Sequence, residues 1–287
     1  MNRLYYGDMP EQFSNYETSK IVLLPVPYDG TSTWVKGADK GPQAIIEASE
    51  SIELYDIETE TEVYTFGIHT AEPVLELGSP EEMVDSVYQR VTQYINDDKY
   101  LVILGGEHSV SCGAIKAFSE KYQDLTVLQI DAHADLRDDY HGSKYNHACV
   151  MRRAQEHCKV VQVGVRSMCI EEKPNMIPEN MFFAHQIRKN SNWILDVVSR
   201  LGKKVYLTID LDGFDPSIIP STGTPEPGGL LWWDVMDLIK MVNEKCNIVG
   251  FDVVELCPNP QDKSSDLAAS KLVYQILSQH FKWTEKI

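Results

Sequence analysis

Three short segments of this chain gather side chains that bind metal ions or move protons. Asp131, His133 and Asp135 stand at alternate positions in Asp131-Ala132-His133-Ala134-Asp135, Asp210 and Asp212 repeat that spacing, and His108 follows Gly105-Gly106-Glu107. Side chains at i, i+2 and i+4 of an extended chain share a face, so each segment is expected to present its ligands on one side if strand geometry continues through it. Four carboxylates and two imidazoles would then converge. Four anions in one dry pocket repel strongly, so either several are protonated or cations neutralise them, and two divalent ions would balance the charge. A donor set rich in oxygen, with imidazole and no thiolate, suits Mn²⁺ better than structural Zn²⁺. Bridging carboxylates suit two ions roughly 3.5–4 Å apart. Taken singly, each piece has a structural use: Asp-Leu-Asp as a turn, His108 as a helix-start residue, Gly105-Gly106 as a tight connection. Their coincidence points to a metal centre.

The elements around these segments explain how they would meet. Apolar runs at Ile21–Pro25, Leu101–Leu104, Thr126–Ile130, Val160–Val165, Lys204–Ile209 and Ile248–Val254 show little polar alternation, as strands buried on both faces do. Amphipathic stretches lie between them: Glu81–Asn96, with Met83, Val84, Val87, Val91 and Ile95 on one stripe, then Trp233–Glu244 and Ser265–Phe281. Strands alternating with helices predict an α/β fold with a parallel sheet covered on both sides. Three of the runs lead directly into Asp131, Asp210 and Glu255, and Leu101–Leu104 leads through Gly105-Gly106-Glu107 into His108; ligands bind outside the carboxyl ends of such strands. Two turn-rich segments, Asp29–Pro42 and Gly213–Gly229, are long enough to be functional. No Pro/Gly/Ser linker divides the chain, so residues 1–287 are read as a single domain.

Composition narrows the partners. With 287 residues, 43% of them hydrophobic, the chain can bury a large core. A net charge of −17 argues against nucleic acid and anionic lipid and is compatible with a small cationic ligand, although such charge speaks chiefly to solubility. The six cysteines, Cys112, Cys149, Cys158, Cys169, Cys246 and Cys257, form no CxxC pair, which suits a reducing compartment. Met1–Tyr16 shows no secretory h-region, and no apolar run reaches the roughly 18 residues of a membrane span. A cytoplasmic protein is therefore expected. There is no Gly-x-Ser-x-Gly elbow, Walker loop or dinucleotide fingerprint.

The three motifs, Leu104–Val110, Asp131–Asp135 and Thr208–Pro216, resemble the signatures of the ureohydrolase family of arginases and agmatinases, and the resemblance extends over nearly the whole chain. It implies a three-layer α/β/α sandwich around a mostly parallel sheet of about eight strands. It implies two Mn²⁺ per chain: one held by His108, Asp131, Asp135 and Asp210, the other by Asp131, His133, Asp210 and Asp212, with Asp131 and Asp210 bridging. Glu255 matches the glutamate that receives the guanidinium group, and His147 the mobile histidine implicated in proton transfer. Trimers or hexamers of identical chains are implied as well.

Pro25–Thr31, Gly37–Pro42 and Gly223–Gly229 look like the agmatinase branch. The stretch Leu136–His147 lacks the Ser-Gly-Asn element with which arginases grip a carboxylate. That implies a guanidinoalkylamine substrate, agmatine, cut to putrescine and urea by a water that the ions activate. Glu255 would orient the guanidinium, Asp135 would help stabilise the tetrahedral species, and His147, at an ordinary pKa of about 6.5, would protonate the departing amine. Arg137 and Lys144 leave open a carboxylate-bearing substrate, as in guanidinobutyrate- or formiminoglutamate-cleaving relatives; guanidinopropionase and arginase activities stand beside these. Two readings of other classes remain: a single-zinc deacetylase, which the absence of a His-His pair disfavours, and a non-catalytic guanidine- or polyamine-binding protein, which the full ligand set disfavours.

Overall fold

A computed structural model describes residues 5–75 and 78–284. In chain order its strands are β1 (Ile21–Val26), β2 (Ile68–Thr70), β3 (Tyr100–Gly105), β4 (Leu125–Ile130), β5 (Lys159–Val165), β6 (Met181–Phe183), β7 (Lys204–Asp210) and β8 (Asn247–Val254). They form one eight-stranded sheet in the order β2-β1-β3-β8-β7-β4-β5-β6, and every pairing is parallel. The six apolar runs read from the sequence are six of these strands. The two others, β2 and β6, are three residues each and too short to leave an apolar run. All six residues of β1 and of β4 are buried, as strands covered on both faces must be.

The helices are α1 (Gly41–Ser49), α2 (Pro80–Asn96), α3 (Ser111–Lys121), α4 (Val150–Ala154), α5 (Ala184–Ile187), α6 (Trp193–Val198), α7 (Trp232–Lys245) and α8 (Ser264–Thr284). Alternate strand residues face opposite layers. Val102 and Leu104 of β3 pack with Ile45 of α1, Leu238 of α7 and Leu272 of α8, while Leu101 and Ile103 pack with Val87 of α2 and Ile115 of α3. The result is the three-layer α/β/α arrangement expected. Helix α2 shows the local logic. Ser79 and Glu82 close a capping box, Pro80 occupies the first turn, and Met83, Val84, Val87, Val91, Tyr94 and Ile95 form the buried stripe. Each such side chain contributes about 1.5–3 kcal/mol when removed from water. No helix among the described residues is long and apolar enough to cross a membrane.

What matters for chemistry is the middle of the sheet. Strands β3, β8, β7 and β4 are consecutive neighbours, and they are the four whose carboxyl ends carry His108, Glu255, Asp210 and Asp131. Sequence-distant segments are thereby brought to one rim, at the edge where open α/β sheets bind ligands. The segment Asp29–Pro42 is shorter as a loop than the sequence suggests, since Ala38–Lys40 is a 3₁₀ turn and α1 begins at Gly41.

Candidate metal centre and substrate cavity

The six expected ligands do come together, but not by continued strand geometry. Strand β4 ends at Ile130. Beyond it, Asp131 Oδ1 accepts from its neighbour His133 N at 2.6 Å, and Asp135 takes a left-handed backbone with φ +52°. Asp131 and Asp135 consequently face His108, at 3.2 and 3.0 Å from its Nδ1, while His133 Nδ1 faces Asp212 at 3.0 Å. Likewise Asp210 ends β7, and its carboxylate accepts from Asp212 N at 2.8 Å in the 3₁₀ turn Leu211–Gly213. Turns stabilised by aspartate side chains, not period-two alternation, aim the carboxylates.

Two ligand groupings result, His108–Asp131–Asp135 and Asp131–His133–Asp212, each with donor atoms within 4.8 Å of one another. Asp131 belongs to both. Asp210 falls in neither grouping, yet its Oδ2 lies 3.5 Å from His108 Nδ1. The left-handed conformations of Asp135 and of Glu255 (φ +67°) are uncommon for such residues and cluster at functional sites. Both are held by main-chain bonds: the Asp135 carbonyl accepts from Met151 N and Arg152 N of α4, and Glu255 N donates to Gly106 O at 2.8 Å.

The hydrogen bonds around His108 test whether a cation fits. Tyr206 Oη and Thr208 Oγ1 both donate to Asp252, at 2.7 and 2.6 Å. With its proton so used, Thr208 Oγ1 accepts from His108 Nε2–H at 2.9 Å. The other ring nitrogen, Nδ1, is buried without a hydrogen-bond partner, amid three carboxylates. An imidazole oriented through one nitrogen, with the other aimed at carboxylates, is how metal-ligating histidines are held. The residues fit a pair of divalent ions.

The charges agree. Burial, then the Asp131 charge, pushes Asp135 up to about 7. Burial and the charge of Asp212 push Asp210 well above the carboxylate range. Burial also opposes ionisation of Asp131, but contacts with His108 and His133 outweigh it and hold that carboxyl low. Burial opposes protonation of both imidazoles, yet the carboxylates raise His108 well above its usual value and His133 to about 12. Protons thus gather where positive charge is wanted.

The centre opens into a cavity of about 320 Å³ lined by His108, His133, Asp135, Asp210, His147 and Glu255, with Ser32–Val35 and Gly223-Thr224 on its walls. Both turn-rich segments therefore reach the site. Glu255 Oε1 accepts from His108 N at 2.7 Å, and its carboxyl is raised by burial and by the charge of Glu107. Arg166 fastens the wall 213–229: its Nη2 donates to the carbonyls of Asp212, Phe214 and Glu226. His147 differs from expectation. Burial, then the positive charge on His108 and His133, lowers it to about 4 instead of leaving it near the ordinary value.

Arg137 lines the cavity, stacked 4.4 Å over the Tyr140 ring, whereas Lys144 is exposed and stands apart from the lining. Glu172 is a lining residue that the motifs do not mark. Its carboxylate accepts from Leu136 N and Cys169 N, tying the segment after β4 to that after β5. Thr31, Glu107, Thr208 and Asp252 also escape a motif reading as separate roles, although Glu107 and Thr208 sit inside the motifs themselves.

An all-parallel α/β sheet carrying at its carboxyl rim an aspartate–histidine cluster able to hold metal ions is the arrangement of a class of metal-dependent hydrolases. Comparison with known proteins gives the family: the arginase family pattern matches residues 19–278, and this chain belongs to the arginase family of ureohydrolases. It is 35% identical to the N(1)-aminopropylagmatine ureohydrolase of Synechocystis sp., over 93% of this chain and 91% of that protein. It is 33% identical to the agmatinase of Pyrococcus horikoshii, over 94% and 95%. The crystal structure of the agmatine ureohydrolase of Thermoplasma volcanium superposes with a TM-score of 0.86 at 32% identity, covering 95% of this chain and 93% of that one.

Proposed function

We propose that this protein is a manganese-dependent agmatinase, hydrolysing agmatine to putrescine and urea. The observation that carries the reading is the shared carboxylate of Asp131, which joins two ligand groupings, and their His108, His133 and Asp135 line one cavity together with Glu255. His108, Asp131, Asp135 and Asp210 would hold one ion, and Asp131, His133, Asp210 and Asp212 the other. Four carboxylates and two imidazoles without thiolate favour Mn²⁺. When bound, such a pair supplies a water whose pKa is lowered toward neutrality.

The chain's own residues do the rest. Glu255 accepts N–H bonds from the guanidinium group, and the charge-assisted pairing fixes the carbon for attack. Asp135 lies on the cavity side of the cluster and offers its carboxylate to the tetrahedral species. The ring of His147 passes a proton to the departing amine as the carbon–nitrogen bond breaks. Apart from Asp135 and Asp210, whose charge the ions would neutralise, the cavity lining holds two carboxylates, Glu172 and Glu255, against one guanidinium, Arg137. That balance supports a cationic substrate over one bearing a carboxylate.

A second reading has its own support. Relatives from Synechocystis sp. and Thermus thermophilus are named N(1)-aminopropylagmatine ureohydrolases, and the exposed Trp34 and Val35 line the same cavity and offer apolar surface to a longer amine tail. The test is urea release with added Mn²⁺ from agmatine, N(1)-aminopropylagmatine, arginine, guanidinobutyrate and guanidinopropionate, with formamide release from formiminoglutamate measured beside it. The highest kcat/KM on agmatine, with one putrescine per urea, is the expected result. Preference for the aminopropyl compound selects the second reading, preference for a carboxylate-bearing compound moves the assignment to Arg137, and no release from any of them rejects ureohydrolysis.

A further inference from the structure

Outside the ligand cluster, one hydroxyl behind the cavity wall touches three groups. Thr31 Oγ1 lies 2.7 Å from Glu107 Oε2 and 3.1 Å from His147 Nδ1, and it accepts from His147 N at 3.0 Å. Thr31 reaches this point because Gly106 lets two chain segments meet. Glu107 N donates to Tyr28 O at 2.8 Å, and a Cβ on Gly106 would stand 2.0 Å from that same oxygen.

A hydroxyl has one proton and two lone pairs, so three partners saturate it. The backbone N–H of His147 takes one lone pair. The remaining proton and lone pair are divided between Glu107 and His147 Nδ1. Whichever way they are divided, Nδ1 is engaged, and Nε2 is the nitrogen left to the cavity. Glu107 is itself fully buried, and its other oxygen accepts from Ser109 Oγ at 2.7 Å, so the anchor beneath Thr31 is fixed. On its other flank the His147 ring meets the Tyr140 ring edge-on, with centroids 6.1 Å apart. Asn146 caps the short turn that carries His147, its side chain accepting from Ala148 N at 3.1 Å.

We infer that Thr31 is a positioning residue for the reaction: its hydroxyl clamps His147 at both the backbone N–H and Nδ1, turning Nε2 toward the substrate. The inference rests on the proposed proton-transfer role of His147 and adds to it the residue that sets the ring. A general acid or base contributes only from within hydrogen-bonding reach in the correct orientation, so an unclamped ring loses rate without losing substrate or metal.

The experiment is a double-mutant cycle read by urea release on the most reactive guanidino substrate, with metal content measured for each protein. Thr31→Val keeps the shape and deletes the hydroxyl. It is expected to lower kcat by about 10- to 100-fold, a part of the 10²–10⁴ that a positioned acid or base contributes, with KM and metal content within about twofold. Thr31→Ser, which keeps the hydroxyl, is expected to recover most of the lost rate. In a His147→Asn background, Thr31→Val should cost less than about twofold, because residues acting through one another are not additive. Independently of turnover, the imidazole ¹⁵N signals that vanish in His147→Asn should shift in Thr31→Val and return in Thr31→Ser. A Thr31→Val penalty that persists in full in the His147→Asn background, or unshifted His147 signals in Thr31→Val, overturns the clamp while leaving the catalytic reading of His147 intact. A His147→Asn protein with wild-type kcat overturns both.

Discussion

Asp131→Asn is the change that separates a metal-holding carboxylate from a structural one. Asp131 is fully buried and both its oxygens already accept: Oδ1 from His133 N and Oδ2 from Gln129 Nε2, each at 2.6 Å. An asparagine of the same shape must place its NH₂ against one of those donors, losing a hydrogen bond to a charged group, about 1.5–3 kcal/mol. The larger effect is on cations. The donor atoms of each grouping lie within 4.8 Å of one another. Even at that outer distance, a divalent ion and a unit charge attract by about 7 kcal/mol at an effective dielectric of 20. Relief of repulsion among the remaining carboxylates returns part of this. At about 1.4 kcal/mol per decade, a loss of roughly 10²- to 10³-fold in affinity is a conservative floor, and it applies to both sites because both groupings use Asp131. Titration calorimetry with Mn²⁺ reads it. The variant should fail to bind either ion at micromolar concentrations and should release no urea. Loss of one ion with the second kept at wild-type affinity refutes the shared role of Asp131, and wild-type binding of both refutes the metal assignment altogether.

Three further outcomes follow from other contacts. Glu255→Gln can keep the hydrogen bond from His108 N through its amide oxygen, so metal content is expected to be unchanged, while kcat/KM falls by about 10²–10³, the typical loss of one preorganised electrostatic partner; near-wild-type kinetics would show the guanidinium sits elsewhere. Thr208→Val removes the acceptor of His108 Nε2–H and a donor to Asp252. Affinity for the first ion should drop about 10- to 100-fold, checked by metal-buffered titration, and an unchanged affinity means that Thr208 does not orient the ring. Asp215 accepts from the Ser217 hydroxyl and amide and from Gly228 and Gly229 N, which hold its pKa at about 2. Because the folded value is depressed, its contribution is present above the unfolded pKa of about 3.9 and is lost as pH falls through about 2. Proteolysis within 213–229 should rise across that window in wild type and be pH-insensitive there, and already fast, in Asp215→Ala; equal cleavage in the two proteins would falsify the latch.

Much of this was legible in the residues because the interior strands are long and uniformly apolar, and because the ligands sit directly at their ends. The runs at Leu101–Leu104 and Lys204–Ile209 marked β3 and β7, and the charged residues that follow them marked the rim. What period-two reasoning misjudged was how the ligands converge. Asp135 reaches His108 through a left-handed backbone, and Asp212 reaches His133 through a turn that Asp210 caps, neither of which alternation describes. Strand order was also hidden, since nothing local tells β8 to lie between β3 and β7. Thr31, 116 positions away from His147, carries no signal until the fold brings them together. The His147 pKa was misjudged for the same reason: burial and its charged neighbours are properties of the assembled rim.

The central claim is that the aspartate–histidine cluster at the sheet's rim is a two-ion centre. Elemental analysis of the full chain, equilibrated with Mn²⁺ at neutral pH and freed of excess ion, measures this directly. Two manganese per chain is the predicted value, and a stoichiometry of one or none contradicts the account.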